Sequence, residues 1–432
     1  MKVTVVGLGK IGLPLAVQFA MSGAEVIGAD VNPHVVEQVN AGEEPFPGEA
    51  HLEQYLRDVV EAGRLSATTD TAGAVSTSDV VVVVVPLFVD DEARPDFGWM
   101  DSATEDIARG LRAAKSTLVV YETTLPVGTT RTRWKPRLEE ISGLKEGSDF
   151  HLVFSPERVL TGRVFEDLRK YPKLLGGLSA EGAAAATKFY EAVLQFDERP
   201  DLARANGVWD LGSAEAAEMA KLAETTYRDV NIGLANQFGV FAAKHGIDVY
   251  QVIEASNSQP YSHIHSPGIA VGGHCIPVYP RLYLWNDPAA TVVRAARQAN
   301  AAMPEYTVGL AEVAAGGSLK GMRVAVLGAA YRGKVKETAF SGVFATVESL
   351  SARGADVFVH DPMYSHDELV GFGWRPYAIG DSVDVVIVQA DHPEYAALSQ
   401  EDFPEAKVVV DGRRVLRAEN FGNVAFSVVG KA

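Results

Sequence analysis

The chain has 432 residues and a formal net charge of −17, with 39 lysines and arginines against 56 aspartates and glutamates. So acidic a chain lacks the positive field that nucleic-acid binding requires, although a local cation or helix N-terminus still lets it bind a small anion. A hydrophobic content of 47% and a charged content of 22% are typical of a globular protein with a large core. At roughly 150 residues per domain, we expect two or three domains.

The composition argues against a membrane or secreted protein. The longest apolar run, residues 80–89, is interrupted by Pro86 and is too short to span a bilayer. The N-terminus lacks the basic region and apolar stretch of a signal peptide. The single cysteine, Cys275, excludes an intrachain disulfide and fits a reducing compartment, so we expect a cytoplasmic protein.

The first 200 residues alternate between strand and helix patterns. This alternation predicts a doubly wound α/β domain, in which apolar β-branched runs form the inner strands of a parallel sheet. The predicted strands lie at residues 2–6, 24–30, 80–85, 118–121 and 152–154, and the first helix lies at 13–21.

A glycine motif, Gly7-x-Gly9-x-x-Gly12, joins the first strand to the first helix, and Asp30 ends the second strand. In a dinucleotide site, the first glycine permits a tight turn, the second admits the pyrophosphate, and the third lets the helix pack on the strand. An acid at position 30 would accept from both ribose hydroxyls and would repel the 2′-phosphate of NADP. The motif therefore predicts NAD as cofactor, against the alternative of a glycine turn without phosphate.

The middle of the chain predicts one long helix over residues 213–245, ended by Gly246. A helix of about 30 residues is about 45 Å long, which is typical of a helix that links domains or dimerises. The alternative is an ordinary core helix broken at Gly233 or Gly239.

A third region begins at Arg323. Residues 323–328 form a strand pattern that ends in glycine, and residues 355–362 form another that reaches Asp361, so the N-terminal pattern is weakly repeated. Residues 383–389 and 407–411 predict further strands. The predicted fold is α/β, with two Rossmann-like doubly wound domains joined by a long central helix. We expect an NAD-binding domain at 1–200, a central helical region with the cysteine loop at 201–305, and a C-terminal Rossmann-like domain at 306–432.

Cys275 lies in the sequence Gly272-Gly273-His274-Cys275. Two glycines before a thiol let a substrate approach, and a nucleophilic thiol would hold an aldehyde as a thiohemiacetal for a second oxidation. An inert buried cysteine is the equally weighted alternative. A zinc site with His263, His265 and His274 lacks both a carboxylate and the usual ligand spacing, so we expect no metal.

Three further residues are candidates for catalysis. Lys221, on the long helix, could stabilise an oxyanion, or it could extend its ammonium group into solvent. Glu157 and Thr124 each follow a predicted strand, at the edge of the sheet where ligands bind, but either segment could be a simple helix N-cap.

Together these segments resemble the nucleotide-sugar 6-dehydrogenases, the family of UDP-glucose and UDP-N-acetylhexosamine dehydrogenases. The resemblance covers nearly the whole chain. Its segments are VVGLGKIGLP, TTLPVGTT, SPERVLTG, AEMAKLAETTYRDVNI, HSPGIAVGGHCIPV, VAVLGAAYRGKVKE and VFVHDP.

The resemblance implies oxidation of the sugar's C6 alcohol to a carboxylate with two NAD⁺ per turnover, in a homodimer formed through the central helix. It also implies that residues 201–305 are the central helical dimerisation region and that residues 306–432 are the nucleotide-sugar-binding domain. By position, Cys275 is similar to the thiol that forms the thiohemiacetal and thioester, and Lys221 to the lysine that stabilises the oxyanion. Glu157 is similar to the acid that positions water, and Thr124 to the threonine that orders a water beside the cofactor. Implied cofactor contacts are Gly7, Gly9, Lys10, Ile11, Gly12, Asp30, Pro86, Thr124 and Glu157. Implied substrate contacts are Glu157, Arg158, Lys221, Thr225, Asn231, Tyr261, His265, Gly272, Gly273 and Arg332.

Four positions depart from the family pattern. Tyr279 stands where the family commonly has an acid, and Thr225 replaces an asparagine that helps the lysine. Tyr261 and Ala339 replace arginines, which bears on the choice of sugar and base. The segment GGHCIPV favours a UDP-N-acetylhexosamine as the substrate, while UDP-glucose and a dTDP-sugar stay open as alternatives.

Two other functions compete with this one. A single-step NAD dehydrogenase of small hydroxy acids also starts with GLGxxG and has a lysine on a long helix, but it needs neither Cys275 nor a third domain. A non-catalytic nucleotide-sugar sensor would bind its ligand and release no NADH. A specialised pathway of natural-product or polysaccharide biosynthesis would fit the divergent pocket residues.

Overall fold

A computed structural model describes residues 1–90 and 94–431. The chain forms two compact units, Met1–Ala223 and Glu224–Ala432. Among the described residues, none of the helices has both the length and the apolar character needed to cross a bilayer.

The first unit is built on an eight-stranded sheet in the order β10-β9-β8-β7-β4-β1-β2-β3, and β5 and β6 form a separate two-stranded antiparallel sheet. Neighbouring strands of the sheet are parallel, except that β8 and β9 run antiparallel. The strands are β1 (Lys2–Val6), β2 (Glu25–Ala29), β3 (Leu65–Thr68), β4 (Val80–Val83), β5 (Phe88–Val89), β6 (Pro95–Asp96), β7 (Leu118–Tyr121), β8 (His151–Phe154), β9 (Lys173–Gly177) and β10 (Val208–Asp210).

Helices cover both faces of this sheet. Val80 and Val82 pack into the core on one face and Val81 and Val83 into the core on the other, which is why this strand is apolar throughout. The helices are α1 (Gly12–Met21), α2 (Pro33–Asn40), α3 (Leu52–Glu61), α4 (Thr71–Thr77), α5 (Gly98–Gly110), α6 (Lys135–Ser142), α7 (Val164–Lys170), α8 (Ala180–Val193) and α9 (Ala214–Lys244).

Helix α9 has 31 residues, begins in the first unit and ends in the second. The alternative of a break at Gly233 or Gly239 is wrong, because the helix is continuous. Both glycines serve close packing instead. A Cβ at Gly233 would lie 3.1 Å from the Ala296 backbone, and one at Gly239 would lie 3.1 Å from Pro267.

The second unit contains a parallel five-stranded sheet in the order β12-β11-β13-β14-β15. Its strands are β11 (Arg323–Leu327), β12 (Asp356–His360), β13 (Val385–Val388), β14 (Val408–Asp411) and β15 (Ala425–Val428). Its helices are the rest of α9, then α10 (Val249–Asn257), α11 (Tyr279–Asn286), α12 (Thr291–Ala301), α13 (Met303–Ala314), α14 (Val343–Ala352) and α15 (His366–Gly371). The predicted fold class, with two doubly wound domains and a long central helix, is confirmed.

Candidate active site

The glycine turn after β1 has the shape of a dinucleotide cradle. Gly7 adopts a φ of +93°, and a Cβ at Gly12 would lie 1.8 Å from the Gly7 carbonyl oxygen, so α1 packs on the turn as closely as glycine allows. At Gly9, by contrast, no heavy atom of the described residues comes within 4 Å of a Cβ built there. Lys10 is exposed and Ile11 half-buried in the same turn. The turn is therefore closed toward the sheet and open where a pyrophosphate would approach.

Asp30 lies beside this turn because β1 and β2 are parallel and in register. Its carboxylate accepts from the Leu8 backbone N–H at 2.8 Å and from that of Asn32 at 2.9 Å. The side chain stays partly exposed, so its remaining lone pairs can meet ribose hydroxyls. The residues present fit NAD, which would supply the hydride acceptor here.

Pro86, Thr124 and Glu157 lie at the same edge of the sheet, since each follows the carboxyl end of a parallel strand: β4, β7 and β8, respectively. Pro86 is exposed, Thr124 is buried and Glu157 is half-buried. Neither Thr124 nor Glu157 is a helix N-cap. The next helical turn after Thr124 begins at Thr130, and the next helix after Glu157 begins at Val164.

Glu218, on α9, was not singled out in the sequence analysis. It anchors the loop at residues 123–130, which follows β7, to this helix. Its carboxylate accepts from the backbone N–H groups of Gly128 and Thr130 and from the Thr130 hydroxyl. Burial raises the pKa of Glu218 to about 7, against the effect of these hydrogen bonds. Lys221 follows one helical turn later and is 8% exposed, so its side chain does not extend into solvent. The sequence did offer one signal for Glu218: it stands three residues before the candidate Lys221, so the two residues are neighbours on the surface of one helix.

Glu157 is held by a residue that the sequence analysis also missed. The Lys173 ammonium group lies 2.8 Å from the Glu157 carboxylate and 2.8 Å from the Glu122 carboxylate. Glu122 directly follows β7, at the same edge of the sheet. The neighbouring Arg158 is half-buried and donates through its backbone N–H to the Glu157 carboxylate at 2.7 Å.

In the second unit, the cysteine loop packs on the long loop between β11 and α14. Gly273 has a φ of +92° and donates its backbone N–H to the Ala339 carbonyl at 2.9 Å. A Cβ at Gly272 would lie 2.5 Å from the Tyr331 Cβ, so both glycines are needed for this close approach. Cys275 is half-buried, and its carbonyl accepts from the Tyr279 N–H at the start of α11.

The other predicted substrate contacts in this unit differ in exposure. Asn231 binds the loop before the glycines, accepting from the His265 N–H and donating to the His263 carbonyl. Burial, with a smaller effect of Arg228, lowers the pKa of His265.

Thr225 is buried, whereas Tyr261 is 92% exposed. Arg332 is exposed and lies 3.3 Å from the Tyr331 hydroxyl. His274, next to the thiol, pairs with Glu337 at 3.4 Å. Within residues 1–90 and 94–431, no three histidine, cysteine or acidic side chains are grouped as a metal ion would require.

A glycine cradle that fits NAD, at the carboxyl edge of a mostly parallel sheet, defines the class: a dinucleotide-binding protein with a doubly wound α/β domain.

Sequence comparison then gives the family. Three segments match the UDP-glucose/GDP-mannose dehydrogenase family: the NAD binding domain at 1–194, the central domain at 215–302 and the UDP binding domain at 325–418. The chain belongs to this family, which confirms the resemblance seen in the sequence.

Individual relatives match over nearly their full length. The UDP-N-acetyl-D-mannosamine dehydrogenase of Pyrococcus horikoshii is 34% identical, over 100% of this chain and 99% of that protein. The NDP-N-acetyl-D-galactosaminuronic acid dehydrogenase of Ralstonia nicotianae is 31% identical, over 96% of each.

Solved structures agree. The UDP-D-ManNAc dehydrogenase of Pyrococcus horikoshii superposes with a TM-score of 0.88 at 32% identity, over 100% of this chain and 99% of that one. The UDP-glucose dehydrogenase of Pyrobaculum islandicum gives 0.87 at 29% identity, over 100% and 98%.

Proposed function

We propose that this protein oxidises the C6 alcohol of a UDP-N-acetylhexosamine, with UDP-N-acetylmannosamine as the first candidate, to the uronic acid through a covalent adduct on Cys275. The observation that carries the proposal is the packing of Gly272 and Gly273 on the loop that includes Tyr331 and Ala339. That loop belongs to the segment matching the UDP binding domain, so the thiol lies beside the part of the chain expected to hold the nucleotide. The names of the relatives in both searches support the sugar.

The chemistry divides into two oxidations and one hydrolysis. Loss of a hydride from C6 and a proton from its hydroxyl gives an aldehyde, to which the Cys275 thiol adds. Loss of a second hydride and a proton converts the resulting thiohemiacetal into a thioester. Water then cleaves the C–S bond, which releases the carboxylate and the thiol.

The roles of the other residues follow from their chemistry. Lys221 stabilises the oxygen that bears negative charge in each tetrahedral species, because a buried ammonium group acts strongly there. Glu157 accepts a proton from the hydrolytic water, and Thr124 orders a water beside the cofactor. Asp30 holds the ribose of NAD.

The departures from the family pattern concern the pocket. Ala339 retains a backbone role, since its carbonyl accepts from Gly273, but it offers no cation to the nucleotide. Tyr261 is exposed and likewise brings no charge. Specificity for the base therefore rests on other groups, among them Arg332, and a dTDP-sugar stays an alternative.

We also propose a cytoplasmic homodimer formed through α9. The exposed large apolar side chains of this helix support an interface with a second copy. They are Met219, Tyr227, Leu234, Phe238 and Phe241.

The test is the number of NADH molecules released per sugar with UDP-ManNAc, UDP-GlcNAc, UDP-glucose and dTDP-glucose. We expect two with a UDP-N-acetylhexosamine, and a Cys275→Ser variant that no longer completes the reaction. One NADH per sugar, with full activity in the serine variant, would show a single-step dehydrogenase. Ligand binding without NADH would show a sensor.

A further inference from the structure

A buried charge cluster lies under the candidate site of the first unit. It consists of Glu122, Glu157, Lys173 and Tyr190, with side-chain exposures of 0% for Glu122, 11% for Glu157 and 4% for Lys173. Lys173 donates to both carboxylates at 2.8 Å, and the Tyr190 hydroxyl donates to Glu122. Glu157 is the only one of the two carboxylates with exposed surface, so it is the one that can meet a reactant.

Strand direction explains why a lysine reaches this edge. Glu122 and Glu157 follow the carboxyl ends of parallel strands β7 and β8. Strand β9 is antiparallel to β8, with Phe154 opposite Gly176, so it presents its first residue at that same edge. Continuing the register by three residues on each strand places Lys173 opposite Glu157.

The cluster holds two carboxylates and one ammonium group. Burial raises the pKa of Glu122 to about 7, and Glu157 adds to this rise by charge repulsion. Burial acts in the same direction on Glu157, but the charge and hydrogen bond of Lys173 prevail and keep the pKa of Glu157 below its ordinary value. The two carboxylates hold the pKa of Lys173 above its ordinary value despite burial.

Other groups face the cluster from the elements around it. Tyr190 comes from α8, and Ser155 from the end of β8 donates to the Leu174 carbonyl. Arg158 and Asp167 line a small cavity of about 10 Å³ together with Glu157 and Lys173. Asp167 is paired with Arg163 at 3.0 Å, and the Lys173 side chain contacts Glu157 at 2.8 Å.

We propose that Lys173 is a positioning residue that holds Glu157 as a fixed, charged acceptor for the water that hydrolyses the thioester, with Glu122 as the second carboxylate of the pair. The inference rests on the role of Glu157 in the proposed function. In this step the water oxygen bonds to the thioester carbonyl, and a water proton passes to Glu157. The C–S bond breaks, its electron pair stays on sulfur, and the proton on Glu157 passes to solvent. No electrons are exchanged with a cofactor in this step.

The experiment compares the full-length Lys173→Met and Lys173→Arg variants with wild type, by rapid mixing with saturating UDP-sugar and NAD⁺. In Lys173→Met we expect a fast burst of two NADH per active site, followed by steady turnover at least tenfold slower than wild type, because the thioester accumulates. The acid limb of its steady-state pH profile should move to higher pH. Lys173→Arg, which keeps the charge, should restore turnover to within a few fold of wild type.

The matched control is Lys170→Met, at a lysine whose side chain is 42% exposed and pairs with Glu166. It should show neither the burst nor the shifted limb. Equal loss of burst and steady state in Lys173→Met, or an unmoved acid limb, would overturn the role of Lys173. One NADH per sugar in wild type would instead overturn the proposed function itself.

Glu122→Gln keeps the test decisive if the lysine variants fail to fold. The raised pKa of Glu122 keeps it protonated and neutral in the pH range where Glu157 titrates, so the amide should leave both steady turnover and the acid limb close to wild type. A burst followed by slow turnover, or an acid limb moved to higher pH, in this variant would overturn the assignment of Glu157 as the carboxylate that Lys173 holds for hydrolysis.

Discussion

Asp30 in the first unit and Asp361 in the second occupy equivalent places, each directly after the strand that pairs with the first strand of its sheet. Asp30 accepts from Leu8 and Asn32 N–H groups at 2.8 and 2.9 Å, and Asp361 accepts from Ala329 and Met363 at the same two distances. The surroundings then differ. Asp361 is 3% exposed and also binds the Ala330 N–H and the His392 ring, whereas Asp30 is open to solvent on one side.

The loops that follow the first strands differ as well. In the first unit Gly12 begins α1 at once, but in the second Gly333 is followed by a loop until α14 begins at Val343. That loop packs on the cysteine loop instead of offering a helix N-terminus. Two similar sheets thus have different ligands, because the loop and the access to the acid decide what is bound.

The largest expected effect comes from adding one methyl group to the last glycine of each turn. A Cβ in Gly12→Ala would lie 1.8 Å from the Gly7 carbonyl oxygen, and one in Gly333→Ala 2.1 Å from that of Asp391. We expect each variant to lose about 3 kcal/mol of unfolding free energy or more. Only Gly12→Ala should also lose NAD binding, as measured by calorimetry.

Gly9→Ala is the control, since the space around that position is open. It should keep the wild-type melting temperature and bind NAD more weakly. Loss of NAD binding in Gly333→Ala with normal stability would contradict the contrast between the two turns.

The next largest effects should come from replacing Asp30 and Asp361, which we expect to change NAD affinity and stability, respectively. Asp361→Ala leaves buried N–H groups and His392 without their acceptor, so we expect a loss of about 1–3 kcal/mol of unfolding free energy with NAD affinity retained. Asp30→Ala should cost less stability and reduce NAD affinity at least tenfold. Denaturant unfolding and NAD titration of both variants test the pair, and a reversal of the two patterns would show that Asp361 is the cofactor acid.

The smallest expected effect is on the pH dependence of stability, which should have opposite signs for Glu218 in the first unit and Asp361 in the second. The raised pKa of Glu218 means that its stabilising contribution is full below pH 4.5 and is lost as the pH rises to about 7. The melting temperature of Glu218→Gln relative to wild type should therefore rise between pH 5 and pH 7.

Asp361 behaves in the opposite way. Burial is outweighed by His392 and by backbone N–H groups, which hold its pKa below the ordinary value of 3.8. Its contribution is present above that pH and is lost as the pH falls, so the deficit of Asp361→Asn should shrink in acid. Glu215→Gln is the control on α9. The Arg131 hydrogen bond lowers the pKa of Glu215, which is the opposite direction to the shift of Glu218 on the same helix. A difference for Glu218→Gln that does not change with pH would contradict the effect of burial.

Much of this contrast could be predicted from sequence. Local signals, namely the strand that precedes Gly7 and the acid at position 30, place the NAD turn, and the apolar run at residues 80–83 places a central strand. The sequence shows Asp361 after a similar strand, but its burial depends on His392, which is 31 residues away. Lys173 was missed because its role comes from the antiparallel direction of β9, and strand direction leaves no mark on a five-residue pattern.

Because the chain has a single thiol, cysteine modification is simple to follow in this protein. Every modification of a cysteine thiol in this chain lies at one position, so a titration of free thiols reports the state of Cys275 without digestion. The same feature leaves the residue exposed to damage. With no second cysteine in the chain, a sulfenic acid at this position cannot form an intrachain disulfide, so its capture as a disulfide before oxidation to the irreversible sulfinic acid needs a thiol from another molecule.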